Sequence, residues 1–243
     1  MSAPVFVVAA ERLVVGRVVV DGAEGRHAAT VTRLAPGEAV VLTDALGRRA
    51  SGVVIDAERD VLSVDVTSVV DLPAPQPRFV VVQALPKGDR GELAVETMTE
   101  VGVDVVVPWA AARCVTRWRD ARGQKALSRW RTSGHSAAKQ SRRAWFPEIA
   151  ELATTAEVAE LLSAAAVGVV LHESATAPLA TVELPAAGDV VLVVGPEGGV
   201  SDDELSAFRE AGAPPYRLGE TVLRTSTAGT VALAVLSATS RWA

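Results

Sequence analysis

The stretch Leu72-Pro73-Ala74-Pro75-Gln76-Pro77 sets three prolines at alternate positions and divides the chain into halves with different hydrophobic periods. Proline fixes φ and has no N–H to donate, so neither a helix nor a central strand runs through such a stretch. Residues 73–77 therefore read as a linker between domains of 1–72 and 78–243. Before it, short β-branched runs at 5–8, 18–20, 40–43, 53–55 and 61–66 are separated by turn signals such as Ala35-Pro36-Gly37 and Ala45-Leu46-Gly47. That pattern predicts a small all-β domain, a barrel with a short helix near 26–33. After the linker, apolar strands at 79–83, 103–107, 167–171, 190–194 and 216–218 alternate with helical patterns at 91–101, 125–140, 155–162, 202–211 and 226–240. The alternation predicts an α/β domain around a largely parallel sheet, with ligands held at the carboxyl ends of its strands.

With 49% apolar residues the chain has ample material for a core. Its longest uncharged runs, such as 161–171 and 231–236, fall well short of the roughly 20 residues that cross a bilayer, which excludes a membrane-spanning helix. The first residues lack a basic n-region, and Glu11 and Arg12 interrupt any signal-like core, so the expected location is the cytoplasm. A single cysteine, Cys114, excludes an internal disulfide. Neither Cys114 nor His135 has a companion at metal-ligand spacing, so no metal is expected.

The net charge of −5 argues against a polyanionic partner, but its distribution does not. Residues 1–77 hold 7 basic and 10 acidic side chains, 78–149 hold 13 and 7, and 150–243 hold 4 and 12. Between Arg113 and Arg143 lie ten basic residues, eight of them arginine, against the single acid Asp120. Arginine forks suit phosphate, and Trp118, Trp130 and Trp145 offer rings for base stacking; the competing reading is a solvated helix with its tryptophans turned inward. The concentration favours an anionic polymer.

Two strand-to-helix junctions carry the chemistry. In Val190-Val191-Leu192-Val193-Val194-Gly195-Pro196-Glu197-Gly198-Gly199-Val200-Ser201-Asp202-Asp203-Glu204, a buried strand runs into a loop with three glycines and then a helix start, with Ser201 and Glu204 at capping-box spacing. Glycines let a ligand lie against backbone groups; a tight turn that needs small residues would look the same. The loop is neither a P-loop nor a dinucleotide fingerprint. The second junction is Tyr216-Arg217-Leu218-Gly219-Glu220-Thr221-Val222-Leu223-Arg224-Thr225-Ser226-Thr227-Ala228-Gly229, and Leu171-His172-Glu173 ends a further strand. Three neighbouring strand ends would surround one pocket.

Together and in this order these strings resemble the ribosomal small-subunit RNA methyltransferase E family, within the SPOUT class of knotted RNA methyltransferases. The similarity extends to Ala84-Leu85-Pro86-Lys87-Gly88-Asp89-Arg90, Glu100-Val101-Gly102-Val103, Gln140-Ser141-Arg142 with Pro147-Glu148-Ile149, and, in the first domain, His27, Val31-Thr32-Arg33 and Gly37-Glu38. The resemblance implies an N-terminal PUA-like RNA-binding β-barrel and a C-terminal SPOUT α/β domain with a trefoil knot. It implies S-adenosylmethionine as cofactor, a homodimer, and methylation of N3 of a uridine in 16S rRNA, as free RNA or within the small subunit. A tRNA, the large subunit, or RNA binding without catalysis are the alternatives.

Carried over by position, the cofactor pocket is Leu171, His172, Glu173, Val194, Gly195, Pro196, Glu197, Gly198, Gly199, Leu218, Gly219, Val222, Leu223 and Thr225. Arg224 is assigned to the uracil anion, with orientation of the RNA as the competing role. Glu197 or Glu173 faces the cofactor's charges or accepts a proton. Arg33, Lys87, Arg113, Arg117, Arg129, Arg142 and Arg143 are the candidate RNA contacts; Lys87 is alternatively a solvated turn residue. Three positions depart from the family pattern: Ser226 and Lys139 stand where glutamate is usual, and Ala112 where an acid is common.

Overall fold

The computed structural model describes residues 3–243, which form two compact units. The first comprises residues up to 74 together with 138–146, and the second comprises 75–137 and 147–243. The segment 138–146, which lies far beyond the proline stretch in sequence, thus belongs with the N-terminal residues.

In the first unit, strands β1 (Val5–Val7), β2 (Gly16–Val20), β3 (Ala39–Thr43), β4 (Arg48–Glu58) and β5 (Val61–Asp71) form one sheet in the order β1-β3-β4-β5-β2. Only β1 and β3 pair in parallel. Register shifts at Ser51/Gly52 and Val54/Asp56 mark bulges, which bend a long ladder and increase its twist. Helix α1 (Gly22–Arg26) continues into a π-helical stretch, His27–Thr32, that ends on Arg33 in the left-handed conformation. Phe6, Leu13, Val20, Ala28, Leu42, Leu62 and Val64 form the core.

The segment 138–146 is tied in at both ends. Lys139 Nζ lies 2.7 and 2.8 Å from the two Glu24 oxygens and 5.4 Å from the Phe6 ring centroid, and Glu24 also accepts the Val7 N–H. Further on, Gly47 N donates to Ala144 O, Phe146 N to Ala45 O, and the Trp145 indole to Leu72 O. Gly47 adopts φ +103°, and a Cβ there would stand 2.6 Å from the Trp145 ring, so only glycine allows this approach.

In the second unit six strands, all parallel, run in the order β11-β9-β10-β6-β7-β8: β6 (Arg78–Ala84), β7 (Val105–Trp109), β8 (Glu148–Ile149), β9 (Val167–Leu171), β10 (Asp189–Val194) and β11 (Pro215–Tyr216). Five helices join them: α2 (Arg90–Glu100), α3 (Asp120–Gln140), α4 (Thr155–Ala164), α5 (Asp202–Glu210) and α6 (Thr225–Ala238). Covered on both faces, β6 and β10 bury nearly every residue, which is why they read as unbroken apolar runs. Each fully buried Val or Leu contributes about 1.5–3 kcal/mol of transfer free energy. The cap expected from Ser201 and Glu204 is present in both directions. Glu204, itself buried, also accepts hydrogen bonds from Ala112 N and Thr155 Oγ1, joining α5 to the β7 loop and α4.

The chain end is fastened by Arg241, which pairs with Asp104, donates to Pro77 O and Gly102 O, and lies 4.3 Å from the Phe79 ring centroid. Among the described residues no helix is long and apolar enough to cross a membrane, and no group of three metal-ligating side chains converges.

Candidate functional site

Parallel strands end their ladders on one sheet edge, so the loops after β9 and β10 lie side by side, and the chain leaving β11 returns beside them. After β9, the His172 N–H donates to Tyr216 O, and its Nδ1 meets Ser174 Oγ at 2.8 Å. After β10, Gly199 N closes a tight turn on Pro196 O with φ +74°. A Cβ on Gly195 would stand 2.8 Å from Val200 Cγ2, so this turn is closed to larger residues. After β11, residues 217–224 lead to Arg224, whose carbonyl accepts from Thr227 N and Ala228 N and opens α6.

These loops enclose one cavity of about 420 Å³, within the usual range for small-molecule sites. Of the fifteen positions read from sequence as cofactor or catalytic residues, it is lined by Leu171, His172, Glu173, Val194, Gly195, Pro196, Glu197, Gly199, Leu218, Gly219, Val222, Leu223, Arg224 and Thr225. Gly198 does not line it. Its missing side chain faces Arg113, whose Cβ and carbonyl oxygen would lie 3.0 and 3.1 Å from an added Cβ. The cavity also takes in Arg90, Val200, Arg217, Glu220, Thr221 and Ala228, none of which was singled out from sequence. Arg90 closes the Ala84–Arg90 string, and the others lie inside or beside the two junction motifs, so proximity to the motifs was the available signal.

Charge is mixed on this lining, with Arg90, Arg217 and Arg224 against Glu173, Glu197 and Glu220. Glu197 Oε1 accepts the Lys87 N–H at 3.2 Å, which ties the glycine loop to the loop after β6. The Arg113 guanidinium reaches Gly198 O and Val200 O at 3.3 and 3.4 Å. Beneath the cavity, Gln83 is fully buried beside Val194 in the ladder, and its Nε2 donates to Thr225 O at 3.3 Å.

The basic residues fall into two groups. In the second unit Lys87, Arg113, Arg117 and Arg129 are exposed, yet Arg117 donates to Ala111 O and Ala112 O and Arg129 pairs with Glu92 at 3.1 Å. In the first unit Arg33 and Arg142 are exposed, and Arg143 Nε donates to Trp145 O. The tryptophans pack within the protein. Trp118 and Trp130 pack edge to face at 5.0 Å, Trp130 is only 2% exposed, and Trp145 is committed to Gly47 and Leu72. The inward-turned reading holds for Trp130, where apolar burial outweighs exposure of an indole face, while Trp118 and Trp145 are half-buried.

Comparison with known proteins finds two family matches. Residues 73–237 match an RNA methyltransferase domain, and 20–67 match an RNA methyltransferase PUA domain. A ribosomal RNA small subunit methyltransferase E from Mycobacterium tuberculosis is 50% identical over 229 residues, 92% of this chain and 87% of that relative. A structure of a ribosomal RNA small subunit methyltransferase E from Neisseria gonorrhoeae bound to S-adenosyl methionine superposes with a TM-score of 0.85 at 26% identity, covering 98% of both chains. A Legionella pneumophila methyltransferase in complex with the same cofactor gives a TM-score of 0.84 at 25% identity, again over 98% of both chains. With both domain matches in order and half of its residues shared across nearly its whole length, the chain belongs to the ribosomal RNA small subunit methyltransferase E family.

Proposed function

We propose that this chain transfers the methyl group of S-adenosylmethionine to N3 of a uridine in the 16S RNA of the small ribosomal subunit. The observation that carries the reading is the convergence of three separate strings, around Leu171, Gly195 and Leu218, on one cavity.

The residues present fit the cofactor. Leu171, Val194, Val222 and Leu223 supply apolar surface for a flat base, and Glu173, Glu197 and Glu220 supply carboxylates for a cationic ligand. At Gly219 no atom lies within 4 Å of where a side chain would begin, so the backbone is open to close approach. When bound, S-adenosylmethionine supplies a methyl carbon already activated by a positively charged sulfur. The chain's own task is then to position the acceptor and manage one proton.

Uracil N3 carries that proton, and its loss leaves negative charge on the ring. Arg224, exposed on the cavity lining, is assigned to stabilise this anion. Glu197 keeps Oε2 for a ligand or a proton while Oε1 holds the Lys87 N–H. N3 lies on the pairing edge, so the target base must be unpaired or flipped out.

In the same reading the N-terminal domain and the exposed basic residues hold the RNA backbone, and the protein works in the cytoplasm as a homodimer with a knotted C-terminal region. Val222, 75% exposed on the cavity lining, and Val231 on α6 support a protein interface there. The return of β11 to the far side of β9, after β10 has formed on the near side, supports the knot.

Radiolabelled methyl transfer to undermethylated small subunits, followed by mass-spectrometric mapping of the modified base, tests the proposal. Label at uridine N3 of 16S RNA is the expected result. Label on tRNA or the large subunit instead, or RNA affinity without turnover, would overturn it.

A further inference from the structure

Arg90 stands apart from the other charged groups of the cavity. It opens α2 at the end of the loop after β6, whereas Arg217 and Arg224 both stand in the loop after β11. Its side chain is half-buried and makes no hydrogen bond or ion pair among the described residues. An arginine partly withdrawn from water without a partner is unfavourable unless something else pairs with it.

The strand order places this arginine relative to the other loops. Along the carboxyl edge of the sheet come β9, β10, β6 and β7 in turn. The loops of β9 and β10 carry the proposed cofactor residues, and the loop of β7 begins the basic stretch with Arg113 and Arg117. Arg90 therefore lies between the two, on the flank of the cavity nearer the basic stretch. Its loop is held from both sides: Lys87 N by Glu197 Oε1, and Pro86 O by Thr116 Oγ1 at 2.8 Å. The helix start is held as well, since a Cβ on the next residue, Gly91, would stand 2.5 Å from the Trp130 ring.

We infer that Arg90 is a substrate-binding residue that pairs with an anionic oxygen of the RNA at the target nucleotide, either a flanking phosphate or the deprotonated uracil. This rests on the proposed methyl transfer. It is distinct from the cofactor's carboxylate, which the loops of β9, β10 and β11 would hold.

The test compares the full-length chain with Arg90→Ala and Arg90→Lys. Calorimetric binding of S-adenosylmethionine should stay within about two-fold in both, with melting temperatures close to that of the parent. Methyl transfer to undermethylated small subunits should fall roughly 100-fold in Arg90→Ala, comparable to loss of one oxyanion donor, and be partly restored in Arg90→Lys. A raised KM for RNA with a shallower salt dependence identifies the phosphate; a lowered kcat with an altered pH profile identifies the uracil anion. Unchanged kcat/KM in Arg90→Ala, or a loss of cofactor affinity, would overturn the inference. A parent chain that methylates no small-subunit RNA would overturn the proposed function instead. Arg90 would then be judged on filter binding of RNA alone, where equal affinity of parent and Arg90→Ala refutes it.

Discussion

The Gln83 side chain donates through Nε2 to the carbonyl of Thr225, 142 residues later in the chain, while its Oε1 is buried without a partner. This amide fastens the first residue of α6 to the end of β6, directly behind Arg224. Gln83→Met removes the unpaired acceptor but also the donor to the buried carbonyls of Thr225 and Ala84, so stability should fall by about 1–3 kcal/mol. Turnover should fall several-fold because the start of α6 is no longer held. Urea unfolding beside steady-state kinetics checks both halves, and a loss of stability with normal kcat would contradict the positioning role.

Arg224→Ala should leave the fold and S-adenosylmethionine affinity largely intact, because the side chain is exposed and its backbone makes the cap contacts. Single-turnover methyl transfer should slow by about 100- to 1,000-fold. A near-normal rate would refute its assigned role.

Arg241 and Asp104 are both largely buried, and Asp104 also accepts the Phe79 N–H at 2.8 Å. Arg241→Ala leaves that carboxylate without its cation and strips a guanidinium from the Phe79 ring. The expected loss is about 3 kcal/mol, seen as a lower midpoint in chemical denaturation with an unchanged slope.

Arg142 is exposed and holds a left-handed φ of +58°. Arg142→Glu should weaken RNA binding and make it less steep in salt, by about two counterions for the two units of charge changed. Titrations between low and moderate salt measure the slope, and an unchanged slope would remove this residue from the RNA surface.

Cys114 is buried, and desolvation is the main reason its thiol is pushed above the ordinary range. The native chain should therefore resist alkylation at pH 8 and react at the rate of unfolding. The linkage has a definite sign: a folded-state pKa above the unfolded one means the native state keeps its proton longer. Stability from this group is then fully present below the unfolded thiol's pKa, about 8.5, and is lost as pH rises from there through the raised folded value. Rapid modification of the native chain at pH 8 would contradict the burial.

Parallel strands were legible because burial on both faces writes an unbroken apolar run, and 167–171 agrees with β9 at both ends. Strand β8, two residues long, has no such run and was missed. Helix α3 begins at Asp120 rather than near 125 because its first turn is exposed and polar, which leaves no periodicity to read. In the site, the glycine and Leu-Gly strings pointed to nearly the whole cavity. Gly198 lies off the cavity lining, since a glycine packed against a neighbouring backbone looks identical in sequence to one that faces a ligand. Arg90 was hidden because its role depends on strand order, which no local string encodes.

The first unit contains a segment that the ribosome makes 64 residues after the rest of it, since residues up to 74 are joined by 138–146. When the N-terminal strands leave the exit tunnel, Gly47 still lacks Trp145 and Glu24 still lacks Lys139. The unit therefore cannot finish folding in the order of synthesis and must wait until all of α3 and the residues up to 146 have emerged. A fragment ending at the proline stretch would be an interrupted nascent chain rather than an independent domain.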